Sequence, residues 1–111
     1  MENDAKKIIG IISEKLDVLT PHQISDYTVI LAICFGNLGQ ELADAEMGEA
    51  KKWLEIKVHC DTVAETNIRI KATEAYHNKK RLEYAVKGLK ETIMALKKRL
   101  AMLSDEANMA Y

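Results

Sequence analysis

The chain is poor in the residues that break helices and in those that build sheets. Its 111 residues include one proline and five glycines, and aromatic side chains make up 5 % of it. A shortage of turn formers together with aromatic strand formers argues against an all-β or α/β domain. Long hydrophobic runs are missing too. The longest is Val29 to Phe35, seven residues closed by Gly36, against roughly 18 for a membrane-spanning helix. The start, Met1-Glu2-Asn3-Asp4, is acidic where an export signal is basic, so a cytoplasmic location is expected. Cysteine is limited to Cys34 and Cys60, both inside helical patterns, and two buried, inert thiols are expected rather than a disulfide. There is no excess of either charge: 16 Lys and Arg stand against 17 Asp and Glu, for a net charge of −1.

What is present is helical periodicity. Hydrophobic residues are 48 % and charged residues 30 % of a 12.5 kDa chain, the balance of one soluble-type domain with a modest core. Ile8, Ile9, Ile12, Leu16 and Leu19 predict a first helix over residues 4–18, with Asn3 as its N-cap. Thr20-Pro21-His22-Gln23 marks the next start. Thr20 and Gln23 can form a reciprocal capping box, and proline at the first helical position loses only an N–H that has no helical partner. The following helix is apolar on nearly every side through Val29–Phe35. Gly36-Asn37-Leu38-Gly39 reads either as a turn or as part of a smooth ridge with Ala32 and Ala43, and a continuous or kinked helix is the favoured expectation.

Two heptad stripes follow. Trp53, Ile56, Cys60, Val63, Asn67 and Ile70 recur at alternating spacings of three and four, within a predicted helix over residues 41–76. Asn67 in that stripe is either a half-exposed edge residue or a buried residue that sets register. Leu82, Val86, Leu89, Ile93, Leu96, Leu100 and Leu103 continue the same alternation without a miss, ending at Ala107. The stripes are out of phase by one residue, so a turn is expected near His77-Asn78-Lys79-Lys80. The predicted fold is all-α, a single domain: an N-terminal helical pair (residues 1–40) and a long antiparallel coiled-coil-like hairpin (residues 41–111). So many apolar faces on so short a chain favour a homodimer or higher homo-oligomer.

Near-neutrality hides a division. Residues 1–50 carry three basic and nine acidic side chains, and residues 51–111 carry thirteen basic and eight acidic. Between Arg69 and Arg99 the excess of basic over acidic side chains is seven. Arg69, Lys71, Lys79, Lys80, Arg81, Lys97, Lys98 and Arg99 are therefore the candidate partner-binding residues, for an acidic protein or for the phosphates of a nucleic acid.

Motifs for chemistry are sparse. No Gly-rich phosphate loop or zinc-ligand spacing occurs, and no catalytic residue, metal ligand or cofactor is assigned. Glu74-x-x-His77 is one copy of a motif that di-iron bundles use twice, so a metal-binding oligomer is the third-ranked reading. The leucine repeat is not that of a basic leucine zipper. Its e positions (Glu83, Lys90, Lys97, Ser104) and g positions (Ala85, Thr92, Arg99, Glu106) offer almost no opposite-charge pairs to a parallel copy.

Thr62–Tyr76 (TVAETNIRIKATEAY) and Lys87–Leu103 (KGLKETIMALKKRLAML), with Trp53-Leu54-Glu55, resemble small all-helical accessory proteins of bacteriophages and prophages. The resemblance covers about the C-terminal half and implies a short phage protein that works by binding a host or replication component. The leading expectation is thus a non-enzymatic protein-binding module, an adaptor or inhibitor acting through coiled-coil-like faces. The alternative is nucleic-acid binding through the basic face; no membrane partner is expected.

Overall fold

A computed structural model describes residues 2–109, with side chains for residues 5–108. Helix accounts for 90 % of it, and the described residues form no strand. The elements are α1 (Glu2–Lys15), a 3-10 turn (Leu16–Val18), α2 (Pro21–Lys57), α3 (Val63–Ile70) and α4 (Glu74–Met109). The all-α class is the one the periodicities predict.

Threonine starts three of the four helices. At Thr20 the expected capping box is present: the Gln23 N–H donates to Thr20 Oγ1 (3.2 Å) and the Thr20 N–H donates to Gln23 Oε1 (2.9 Å). Pro21 then opens α2. Thr62 is extended (φ −132°, ψ 157°) and accepts from the Glu65 N–H at 3.1 Å, while Glu65 Oε2 accepts from the Asp61 N–H at 3.3 Å. Thr73 Oγ1 accepts from the Tyr76 N–H at 3.2 Å ahead of α4. Each hydroxyl supplies one of the partners a helix start otherwise lacks.

These caps correct three expected boundaries. The helix predicted over residues 41–76 ends at Lys57, where His59 and Cys60 turn back onto the Ile56 and Lys57 carbonyls, and α3 follows as a separate helix. The turn expected at His77–Lys80 is instead spread over residues 58–73, on both sides of α3, and His77–Lys80 lie in the first turns of α4. The one-residue phase slip falls at the link between α3, which carries the end of the first stripe, and α4. Asn3 does not precede the first helix but lies within α1, whose last turn tightens into the 3-10 segment before Leu19 extends (φ −71°, ψ 137°).

Gly36 and Gly39 sit in unbroken helix, as favoured, and no glycine has positive φ. The close helix crossing suggested by the small-residue ridge is absent among the described residues, because a Cβ at Gly36 or Gly39 would meet nothing within 4 Å.

The chain divides into two compact units, each built on a segment of α2 and a segment of α4. The first takes the chain up to Gly36 and from Gly88 onward. Ala5, Ile8 and Ile12 of α1, Leu19 in the link before α2, Ile24, Leu31 and Cys34 of α2, and Leu89 and Leu96 of α4 are its buried apolar residues. The second runs from Asn37 to Lys87 and buries Leu38, Ala45, Cys60, Ile70 and Leu82. Thr66 is also fully buried there, and its hydroxyl donates to the Thr62 carbonyl at 3.0 Å, so the polar atom is satisfied. Both cysteines are buried, and no disulfide joins them.

Candidate protein-docking surface

In the first unit α2 does not bury its apolar girth. Ile24 and Leu31 are fully covered, yet Val29 is 60 % and Ile33 57 % exposed. Val29 and Ile33 stand four residues apart and so share one outward face. On α4, heptad spacing sends Leu89 and Leu96 inward and leaves Met94 59 % exposed. Between these helices runs an open groove of about 290 Å³. Half-buried Phe35 and Ile93 form its floor, exposed Ala32 and Met94 its walls, and Lys90 and Lys97 its rim. On another flank Lys7, Ile8 and Ile11 of α1 meet Tyr27 and Ile30 of α2 around a second hollow.

The second unit has a different character. Its hollow, lined by Glu46, Glu49, Ala50, Trp53, Leu54 and Lys79, holds an ion pair. Lys79 Nζ lies 2.6 Å from Glu49 Oε2, with both side chains about four-fifths covered. Lys79 also faces Glu83 at 3.9 Å, and Lys80 donates to Glu83 Oε2 at 3.2 Å. That hydrogen bond, reinforced by the carboxylate's charge, holds the Lys80 ammonium above its ordinary pKa. The Lys79 and Lys80 ammonium groups lie 5.8 and 5.6 Å from the centre of the Tyr76 ring, within cation–π range. The indole N–H of Trp53 donates to Asn67 Oδ1 at 2.9 Å, joining α2 to α3. Asn67 is exposed, so it does not set a register from within a core.

The eight predicted basic residues are divided between the two units. Arg69, Lys71, Lys79, Lys80 and Arg81 belong to the second unit, and Lys97, Lys98 and Arg99 to the first. Several are engaged inside the fold. Arg69 pairs with Glu65 at 2.8 Å, Arg81 donates to Asn78 at 3.0 Å, and Lys79 and Lys80 are held as above. Arg99 is half-buried and donates to the Asp17 carbonyl at 3.3 Å, tying α4 to the 3-10 turn. Lys71, Lys97 and Lys98 are exposed and form no ion pair among the described residues. Lys90, outside the basic clusters, is likewise exposed and forms no ion pair among the described residues.

The predicted seams fare unequally. Leu82, Leu89 and Leu96 are buried, and Val86, Ile93, Leu100 and Leu103 half-buried along α4. The other stripe is divided: Trp53 and Ile56 are half-buried on α2, Cys60 is buried in the connection, Val63 and Asn67 are exposed on α3, and Ile70 is buried. On α2 the buried residues Ile24, Leu31, Leu38 and Ala45 recur at seven-residue intervals. That repeat was legible but masked by the apolar residues on the rest of the helix.

Two more observations bear on chemistry. Among the described residues no three or more His, Cys, Asp or Glu side chains are arranged to hold a metal ion, and Glu74 and His77 stand in the first turn of α4 without a second such pair. No described helix is long and apolar enough to cross a membrane. Comparison with known proteins adds no assignment: no protein-family model, curated protein or solved structure matches the chain.

Proposed function

We propose that this protein is a non-enzymatic helical protein-binding module, an adaptor or inhibitor of the kind its C-terminal half resembles among small phage accessory proteins. The observation that carries the reading is the uncovered apolar face of α2, where Val29 and Ile33 are each more than half exposed. Contiguous apolar surface of this sort marks association sites.

Self-association through Val29 and Ile33 is the first form of this reading. Sedimentation analysis is expected to give a mass above 12.5 kDa that rises with concentration and returns to the monomer value in Val29→Glu/Ile33→Glu, with helical circular dichroism retained. A photo-reactive side chain at position 33 tests other partners inside the producing cell, and discrete cross-links lost on Val29→Glu are expected. A strict monomer that also gives no cross-link overturns the proposal.

Exposed Lys71, Lys97 and Lys98, free of ion pairs among the described residues, favour nucleic-acid binding as the second reading. Phosphate contacts predict affinity that falls steeply with salt. Absence of binding to single- and double-stranded DNA and RNA at low salt removes it.

A further inference from the structure

The groove of the first unit has a chemistry more specific than apolar surface alone. Its floor and walls, Phe35, Ile93, Ala32 and Met94, are hydrophobic without exception, while both charged residues that line it, Lys90 and Lys97, are cations. Neither lysine is in an ion pair among the described residues. They stand seven residues apart on α4, with Met94 between them, so their Cα atoms are separated by roughly 10 Å along the helix. The volume of about 290 Å³ lies at the small end for pockets that enclose a small molecule. An open trough between two helices instead suits the side chains of a third, the helix-in-groove mode. Methionine suits such a wall because its unbranched thioether adapts to the shape laid against it.

We infer that this groove docks an acidic amphipathic helix of another protein, one that places large apolar residues over Phe35 and Ile93 and carboxylates a heptad apart against Lys90 and Lys97. This rests on the reading of the protein as a protein-binding module and names the chemistry of its partner. Charge decides the occupant. In the first unit α2 has one carboxylate, Asp26, six residues from Ala32 and so about 120° away around the helix. It is also paired with His22 at 3.3 Å. A second copy laid groove to groove would therefore bring lysines against lysines, whereas an acidic helix brings opposite charges into register along the rim. A nucleic acid would satisfy the lysines but leave the apolar floor without a matching surface.

The test uses the full chain against a displayed library of randomised amphipathic helical peptides. Enriched peptides are expected to carry Asp or Glu at positions seven apart, flanking Leu, Ile, Met or Phe. A synthetic peptide of that sequence should bind about tenfold more weakly to Lys90→Glu and to Lys97→Glu, each by loss of one charge pair. Replacing its two acids by lysines should restore binding to the doubly reversed protein. Both lysines are exposed helix residues, and Lys90→Gln/Lys97→Gln, expected to weaken binding without reversing it, provides a milder variant. The inference is overturned by no enrichment, by enrichment without acids, or by affinity unchanged on charge reversal. It is equally overturned if an oligonucleotide displaces the selected peptide, or if Met94→Glu dissociates a dimer and the peptide binds elsewhere. Persistent cross-links at position 33 without an acidic consensus would sink the groove proposal and leave the general protein-binding reading standing.

Discussion

Replacing Leu96 by alanine removes three carbons from a side chain with no solvent exposure in the core of the first unit. At about 0.8 kcal/mol per buried CH₂, the lost transfer energy alone is about 2.4 kcal/mol. Leu96 lies on a helix whose backbone cannot collapse into the space, so a cavity term adds to it, for a total of about 3–5 kcal/mol. In a chain of 111 residues this corresponds to a fall in Tm of roughly 10–20 °C. Leu103 occupies the next heptad position but is only half-buried. There Leu103→Ala forfeits about half the transfer term and leaves a notch open to water, so about 1–1.5 kcal/mol is expected. Urea titration followed at 222 nm, with the m-value compared between variants, measures both. Equal destabilisation by the two substitutions, or less than about 1 kcal/mol for Leu96→Ala, would refute the assignment of Leu96 to a packed core.

Gly36→Ala and Gly39→Ala each place a methyl group in open space on an unbroken helix, and should raise stability by about 0.5–1 kcal/mol in thermal melts. A rise in Tm accompanied by weaker self-association would show that a partner approaches this surface. Thr73→Ala removes the acceptor for the Tyr76 N–H and should destabilise by about 1 kcal/mol, with faster hydrogen exchange at the Tyr76 amide; protection unchanged from the parent protein would contradict the cap. Glu83→Gln removes the carboxylate that raises the Lys80 pKa, so the Lys80 titration should move back toward 10.5, read from the side-chain carbon shifts. Because the folded-state value is the raised one, the pair's stabilisation is fully present below pH 10.5 and disappears as pH climbs through the Lys80 pKa. A parent-minus-variant stability difference that grows above that pH would reverse the sign and refute it.

Helical class, the start at Thr20-Pro21 and the α4 seam were all legible from residue spacing, because each depends on neighbours within one or two turns. The break between Lys57 and Glu74 was not read, although Thr62-Val63-Ala64-Glu65 has the spacing of a capping box and Thr73 stands ahead of α4. A heptad stripe running through Cys60 and Val63 imitated continuous helix, since the same three-and-four alternation is met by residues on two helices and the link between them. The basic clusters showed the opposite failure. They look alike as text, but Lys79 is about four-fifths covered beside Glu49, while Lys97 and Lys98 stand exposed.

By itself, then, the amino-acid sequence determined that this chain is helical, where α2 begins, and which leucines of α4 turn to one side. Those are properties of local hydrogen bonding and of the 3.6-residue period. Only the tertiary structure decided which apolar residues are covered. Leu31 and Ile33 lie two positions apart in the same hydrophobic run, yet one is fully buried and the other 57 % exposed. The groove between Phe35 and Ile93, with its two lysines, likewise exists only because residues more than fifty positions apart in the chain are brought side by side. Burial depends on what packs against a face, and no local pattern records that.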